Sequence, residues 1–352
     1  MNARKLMLVA GATAAGAGML CAGAALAGVA AMGYGRRGRR RARLAGKVVV
    51  ITGASRGLGL ALAEEFGRCA ARLVLIARDP WELDRAREIL KTRAPASEVL
   101  VIPADLRQAD EAQQAMEKAT QAFGRVDVLV NNAGVITVGP VESQRIEDFH
   151  GVMESNFFTG VHCAMSVLPQ MLERRDGMIV NIASIGGKIA VPHLLPYTAS
   201  KFAAVGFSEG LHAELRSKGI HVLTVCPGLM RTGSHRSALF SGDGEREYQW
   251  FSFLANVPGV SASAASAARR IVRAAAARET EIAITPQAVV GARLASVAPE
   301  ALALGMSVVN RLLPASRATT AEPKAGADLR ARDTLPAASI GIAAAKKYNQ
   351  TA

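Results

Sequence analysis

Cysteine is scarce in this chain of 352 residues: Cys21, Cys69, Cys163 and Cys226 stand far apart, and no two form a C-x-x-C pair. That spacing argues against a disulfide framework and against a zinc site, and it fits a reducing compartment. Aromatic residues make up only 5% of the sequence, and acidic residues are missing altogether from the first 46 positions. The second gap explains the charge. A formal net charge of +13 invites a nucleic-acid reading, yet eight basic residues (Arg4, Lys5, Arg36, Arg37, Arg39, Arg40, Arg41 and Arg43) fall in the acid-free stretch. The other 306 residues carry 34 basic against 29 acidic side chains. So balanced a body lacks the basic face that nucleic acid requires, and no nucleic-acid partner is expected. Half of the residues are hydrophobic, enough for one large domain with a full core.

Charge of either sign is absent from Leu6 to Gly35, a run of 30 residues. A helix needs roughly 20 apolar residues to span a bilayer, so the length suffices, although Ala and Gly dominate the run. Two basic residues precede it and six arginines follow, which places the following domain on the cytoplasmic side by the positive-inside rule. A cleaved signal peptide would end in small residues such as Ala22-Gly23-Ala24, but an arginine cluster directly after the run opposes export. A soluble low-complexity leader is the blandest alternative. Residues 1–46 are therefore read as an apolar anchor helix with a basic flank, giving a membrane-anchored protein. The arginines then meet anionic lipid.

Past Arg43 short apolar runs alternate with helical patterns. Lys47–Thr52, Arg72–Ala77, Val99–Pro103, Val126–Val130, Met178–Ile182 and His221–Cys226 read as strands buried on both faces, with Ile282–Thr285 as a further one. Between them lie helix-length segments at Leu58–Cys69, Pro80–Arg93, Gln108–Phe123, Glu147–Glu173 and Tyr197–Ser217. This alternation predicts an α/β fold, a doubly wound parallel sheet of the Rossmann type forming a single domain over 47–285. Residues 286–313 are apolar but interrupted by Arg293, Pro299, Glu300 and Arg311, so short helices on the domain or at a membrane surface are expected. Residues 314–352 lack apolar periodicity and read as a disordered tail.

The first strand runs into Thr52-Gly53-Ala54-Ser55-Arg56-Gly57-Leu58-Gly59 and then a helix. A glycine-rich turn at that junction lets backbone approach a pyrophosphate, whose charge suits the helix N-terminus. A tight strand–helix turn would also explain the glycines. Cofactor choice follows from charge. A carboxylate ending the second strand would bind a ribose hydroxyl and repel a 2′-phosphate, but that strand ends Ile76-Ala77-Arg78. Arg56 and Arg78 are placed to grip a phosphate, so NADP(H) is expected over NAD(H). Asp79 opposes this, because a slight change of register brings its carboxylate near.

At Tyr197-Thr198-Ala199-Ser200-Lys201 a Tyr and a Lys stand four apart on one helical face. An unperturbed Tyr, with a pKa of about 10, is too weak an acid for neutral pH, and a neighbouring ammonium would lower it. Ser184, after the strand Met178–Ile182, is in position to hydrogen-bond a substrate oxygen. With Asn131-Asn132-Ala133-Gly134 after the fourth strand, the set becomes specific.

Over roughly residues 47–285 the chain resembles the short-chain dehydrogenase/reductase family. The motifs run in order: TGASRGLG at 52–59, Asp105-Leu106, NNAG at 131–134, Asn156, Ser184, Tyr197, Lys201, and Pro227-Gly228 with Thr232. The resemblance implies that Tyr197 exchanges the proton, Ser184 orients the carbonyl or hydroxyl, Lys201 also binds the nicotinamide ribose, and Asn156 sustains a water-linked proton path. It places Gly53, Ser55, Arg56, Gly57, Leu58, Gly59, Arg78, Asp105, Leu106 and Asn131–Gly134 around the adenosine and phosphates. Pro227, Gly228 and Thr232 would hold the nicotinamide amide. The reaction implied is hydride transfer between NADPH and a carbonyl or alcohol carbon. A sensor or scaffold that binds NADP(H) without turnover is the alternative, and it would call for a damaged Ser184–Tyr197–Lys201 set.

Between Pro227 and Ala262 the resemblance implies a flexible substrate lid. Phe240, Tyr248, Trp250, Phe251 and Phe253 cluster there. They suggest a hydrophobic, lipid-like small-molecule substrate, unless the rings merely pack lid helices onto the domain. His193, between Ser184 and Tyr197, could border the substrate. The other histidines have no partners at ligand spacing, and no metal is expected. Homo-oligomerisation is left open.

Overall fold

Seven strands build the central sheet, and their side chains alternate between its two faces. In a computed structural model that describes residues 43–257, 260–315, 322–329 and 338–350, they are β1 (Val48–Thr52), β2 (Arg72–Ala77), β3 (Val99–Pro103), β4 (Val128–Asn131), β5 (Gly177–Ile182), β6 (Ile220–Pro227) and β7 (Glu281–Ile284). The order is β7-β6-β5-β4-β1-β2-β3, and every pairing is parallel. Val49, Ile51, Leu73 and Leu75 point into one core, and Val48, Val50, Val74 and Ile76 into the other. Both sets are buried, which is why these strands read as unbroken apolar runs rather than alternating ones.

Helices α1 (Gly57–Gly67), α2 (Pro80–Arg93), α3 (Ala109–Phe123), α4 (Ile146–Met153), α5 (Thr159–Arg174), α6 (Leu195–Leu215), α7 (Gly244–Asn256) and α8 (Ala264–Ala277) connect the strands. α1, α2 and α8 supply the first core, while α3, α5 and α6 supply the second. The sheet order reverses between β1 and β4, so their carboxyl ends open a crevice at the position where doubly wound folds bind ligands. The long helical pattern at Glu147–Glu173 is divided by a π-helical turn, Glu154–Phe158, that separates α4 from α5.

The expected anchor falls on residues 1–42, outside the described residues. Among those described, no helix is long and apolar enough to cross a membrane. The apolar extension forms two short helices, α9 (Pro286–Val297) and α10 (Pro299–Asn310), divided at the proline. They leave Val290, Val297 and Leu304 mostly exposed, as is Leu312 just beyond them.

The tail departs from its expectation. Lys324–Ala325 pairs antiparallel with a short strand at Leu239–Phe240, and Ala338–Lys347 forms helix α11. Tyr348 and Asn349 are buried. Composition missed this because the segment is held by backbone hydrogen bonds and close small-residue contacts, which need no apolar stripe. Gly341 and Ala345, for example, lie tightly against Asn256 and Gly233.

Candidate active site

β1 ends at Thr52, and the chain turns through Gly53 and Gly57, both with φ of +60°, into α1. Those angles belong to the left-handed region that glycine tolerates. Gly53 also has no room for a side chain, since a Cβ there would lie 2.8 Å from the Cα of Ala133. A Cβ on Gly59 would lie 2.2 Å from the Gly53 carbonyl oxygen, so Gly59 lets the helix approach the turn. The N-terminus of α1 has no side-chain cap and no acidic residue in its first turn. Apart from the Gly57 N–H, which donates to Tyr348 O, its first-turn N–H groups and positive dipole end lie at the crevice.

Around this turn lies a cleft of about 470 Å³. It gathers most of the expected residues: Gly53, Ser55, Arg56, Gly57 and Leu58 from the turn, Arg78 from the end of β2, and Asp105 and Leu106 after β3. Asn132, Ala133 and Gly134 after β4, Ser184, Tyr197 and Lys201 at the floor, and Pro227, Gly228 and Thr232 after β6 complete that set. Three expected residues stay outside the lining. Gly59 serves the packing just described. Asn131 is buried at the end of β4, where its amide donates to Gly160 O and Asn181 Oδ1. Asn156 sits on the π-helical turn, its Oδ1 accepting from Val135 N and its Nδ2 donating to Val135 O and Ser200 Oγ. Its side chain therefore braces the wall that carries Gly134 and Val135 instead of facing the cleft.

The floor is dry. Ser184, Tyr197 and Lys201 all line it, and Ser184 and Lys201 are nearly inaccessible. Ser184 Oγ accepts from Gly186 N at 3.0 Å, which fixes the hydroxyl. Lys201 Nζ lies 5.7 Å from the centre of the Tyr197 ring and donates to Ile182 O at 3.0 Å. Proximity was expected to lower the Tyr197 pKa through Lys201, and the site behaves otherwise. Burial raises the Tyr197 hydroxyl above its usual value of 10.0, and a hydrogen bond with Ser184 opposes this only in part. Burial also lowers the Lys201 ammonium to about 8. Loss of water by each charged form, not attraction between the two groups, is the largest influence on both.

At the far end of the cleft the charges are arranged in pairs that sequence did not reveal. Glu82, buried on the first turn of α2, accepts from Ser55 Oγ at 2.8 Å and from Arg56 Nη1 at 2.9 Å. Arg56 is thus tied to a carboxylate rather than free for a phosphate. Asp105 pairs with Arg107, whose hydrogen bond holds the carboxyl below the ordinary range. Arg78 is exposed at the rim, and no ion pair engages it among the described residues. Asp79 lines the cleft but caps α2, accepting from Trp81 N and Glu82 N. Glu82 had one sequence signal: it stands three residues after a helix-capping Asp, one turn beyond the end of β2.

Gln350 also lines the cleft, from the far end of the chain, and no motif announced it. The five lid aromatics do not line it. Phe240, Tyr248 and Phe251 pack edge-on with centroids 5.5 and 5.9 Å apart, in a small core with Val138, Leu194 and Leu329. His193 is buried with Glu247, Nδ1 to Oε1 at 2.8 Å, and Glu247 also accepts from Trp250 Nε1. Phe240, Tyr248, Trp250 and Phe251 thus pack the 227–262 segment together, while Phe253 is half exposed, and the cluster does not face the cleft. No metal-binding cluster occurs among the described residues.

A helix N-terminus without a side-chain cap, glycines with no room for a Cβ, and a Ser–Tyr–Lys floor fit a nicotinamide dinucleotide lying along the cleft. The comparisons agree with this geometry. The short chain dehydrogenase family model matches residues 47–239. The dehydrogenase/reductase SDR family protein 7-like from Anopheles gambiae is 38% identical over 205 residues, 57% of this chain and 65% of that protein. The dehydrogenase/reductase SDR family member 7B from Danio rerio is 37% identical over 215 residues, 60% of this chain and 69% of that protein. The match thus spans just under two thirds of the first relative. A Burkholderia phymatum short chain dehydrogenase/reductase, solved in complex with NAD, is 28% identical with a TM-score of 0.66, covering 74% of this chain and 96% of that one.

Proposed function

We propose that this chain, which belongs to the short-chain dehydrogenase family of oxidoreductases, is an NADP(H)-dependent carbonyl reductase with Tyr197 as its proton donor. The observation that carries the reading is the Ser184–Tyr197–Lys201 floor, in one cleft with the glycine-rich turn. Bound NADPH supplies a hydride to the carbonyl carbon, and the protein supplies placement and the proton. Ser184, held by Gly186 N, orients the substrate oxygen. Burial raises the Tyr197 hydroxyl above its usual value, so the group is held in the protonated form that donates to an oxygen gaining charge.

Arg78 supports NADP(H), because it is the one cleft arginine not already paired with a carboxylate among the described residues, whereas Arg56 and Arg107 are held by Glu82 and Asp105. NAD(H) is the second reading, favoured by the buried Glu82 carboxylate beside Ser55 and by the NAD of the Burkholderia relative. We keep a hydrophobic substrate, now on different grounds. A groove of about 880 Å³ runs beside the loop leading into Tyr197, lined by Ile189, Val191, Leu195, Phe202, Leu302 and Met306. The uncharged run Leu6–Gly35 and its following arginines support a membrane anchor with this domain on the cytoplasmic side.

The test is Tyr197→Phe in the full chain, with NADPH oxidation followed over a panel of aldehydes, ketones and acyl thioesters. Turnover should fall at least a thousandfold while NADPH binding stays within about twofold, since only the proton donor is lost. Unchanged turnover would refute the assignment. Wild-type protein that binds NADPH tightly and converts nothing would favour a sensor.

A further inference from the structure

The last described residues return to the mouth of the cofactor cleft and bridge its two sides. On the glycine-rich side, Gly57 N donates to Tyr348 O at 2.8 Å, and Asn349 Nδ2 donates to Ser55 O at 2.9 Å and Glu82 O at 3.1 Å. Asn349 adopts φ of +58°, a conformation Asn tolerates better than most residues, and this bends the chain inward. On the lid side, Ala345 lies against Gly233, and Gly341 against the buried Asn256 of α7. Ser237 Oγ donates to Gln350 Oε1 at 3.3 Å.

Gln350 stands where the two sides meet. Its oxygen is fixed by Ser237, which turns the amide nitrogen toward Gly57, so near that a Cβ on the glycine would lie 2.6 Å from it. That nitrogen has no protein acceptor among the described residues, although the side chain is mostly buried and lines the cleft. A donor beside the N-terminus of α1, which has no side-chain cap, joins the remaining backbone N–H groups that favour an anion there.

We propose that Gln350 is a cofactor-binding residue, presented by a C-terminal strap of residues 341–350, and that its amide donates to the dinucleotide's diphosphate. This rests on the reading of the cleft as a dinucleotide site. The strap adds to the glycine-rich turn rather than competing with it. The carbonyl of Tyr348 takes only the Gly57 N–H and leaves Leu58 and the rest of the first turn of α1 to the anion.

Calorimetric titration of the full chain with NADPH and with NADH, without substrate, tests this. Gln350→Glu puts a carboxylate of the same size beside the diphosphate. It should weaken both dinucleotides by the same factor, tenfold or more at low salt, with the loss shrinking as salt screens the repulsion. Gln350→Ala should weaken both about tenfold or somewhat more, as expected for one donor lost from a charged acceptor. Unfolding temperatures measured without cofactor separate this from loss of fold, and the Ala variant keeps the question decidable if the Glu variant does not fold. Unchanged affinity in either folded variant, or tighter binding, would overturn the proposal, the latter by showing that the strap competes. Failure of wild-type protein to bind either dinucleotide would overturn the reading of the cleft itself, and the role of Gln350 with it.

Discussion

Replacing Lys201 by Met should stabilise this protein at neutral pH while it destroys the site. The side chain is buried, and burial lowers its pKa from 10.5 to about 8. That difference corresponds to about 3 kcal/mol by which the folded state disfavours the ammonium. At pH 7 the lysine is charged in folded and unfolded chains alike, so the folded protein bears nearly the whole of that cost. Met removes it, and also removes the bond to Ile182 O, leaving that carbonyl unpartnered at a cost of about 1 kcal/mol. The net gain at pH 7 is therefore about 2 kcal/mol. It depends on pH in a defined direction. Between about 8 and 10.5 the unfolded wild type holds more protons than the folded, so wild-type stability rises with pH through that window. From pH 7 to 9 the rise is roughly 1 kcal/mol, or about 2–4 °C in unfolding temperature, and the variant lacks it. Urea unfolding of both proteins at pH 6, 7, 8 and 9 measures the difference, in which every other titrating group cancels. Parallel pH dependence of the two proteins, or a variant less stable than wild type at pH 7, would refute the claim that desolvation dominates the floor of the cleft.

Two further outcomes bear on cofactor and lid. Arg78→Ala should raise the dissociation constant for NADPH tenfold or more while leaving NADH within about twofold, because only a 2′-phosphate gains from that charge; equal effects on both would return the choice to NAD(H). His193→Leu leaves the buried Glu247 with Trp250 as its remaining partner and should cost about 3–5 kcal/mol in urea unfolding, with Glu247→Gln costing less because Gln can still bond both rings. A His193→Leu cost below about 1 kcal/mol would show that the pair does not hold the lid.

Much of this was legible in the chain because the relevant physics is local. Strands such as Val48–Thr52 and Arg72–Ala77 are unbroken apolar runs because a covered parallel sheet buries both faces, and their limits agree with the sequence within a residue or two. Gly53 and Gly57 announced a turn that needs positive φ, and Tyr197 and Lys201 announced themselves by sharing one helical face. What the sequence determined alone is therefore the sheet, the glycine-rich turn and the identity of the polar floor. The tertiary structure decided which charges meet. Glu82 reaches Ser55 and Arg56 across 27 and 26 residues and removes one of two arginines reserved for a phosphate. Desolvation, which depends on everything packed around a group, rather than the neighbouring Lys201, sets the direction of the Tyr197 shift. Gln350 reaches the cleft from a segment without apolar periodicity, held by the Tyr348 carbonyl on Gly57 N and the Asn349 amide on Ser55 O, nearly 300 residues away. Periodicity and spacing report what a residue does within its own turn or strand, whereas pairing and burial belong to residues that only the folded chain brings together.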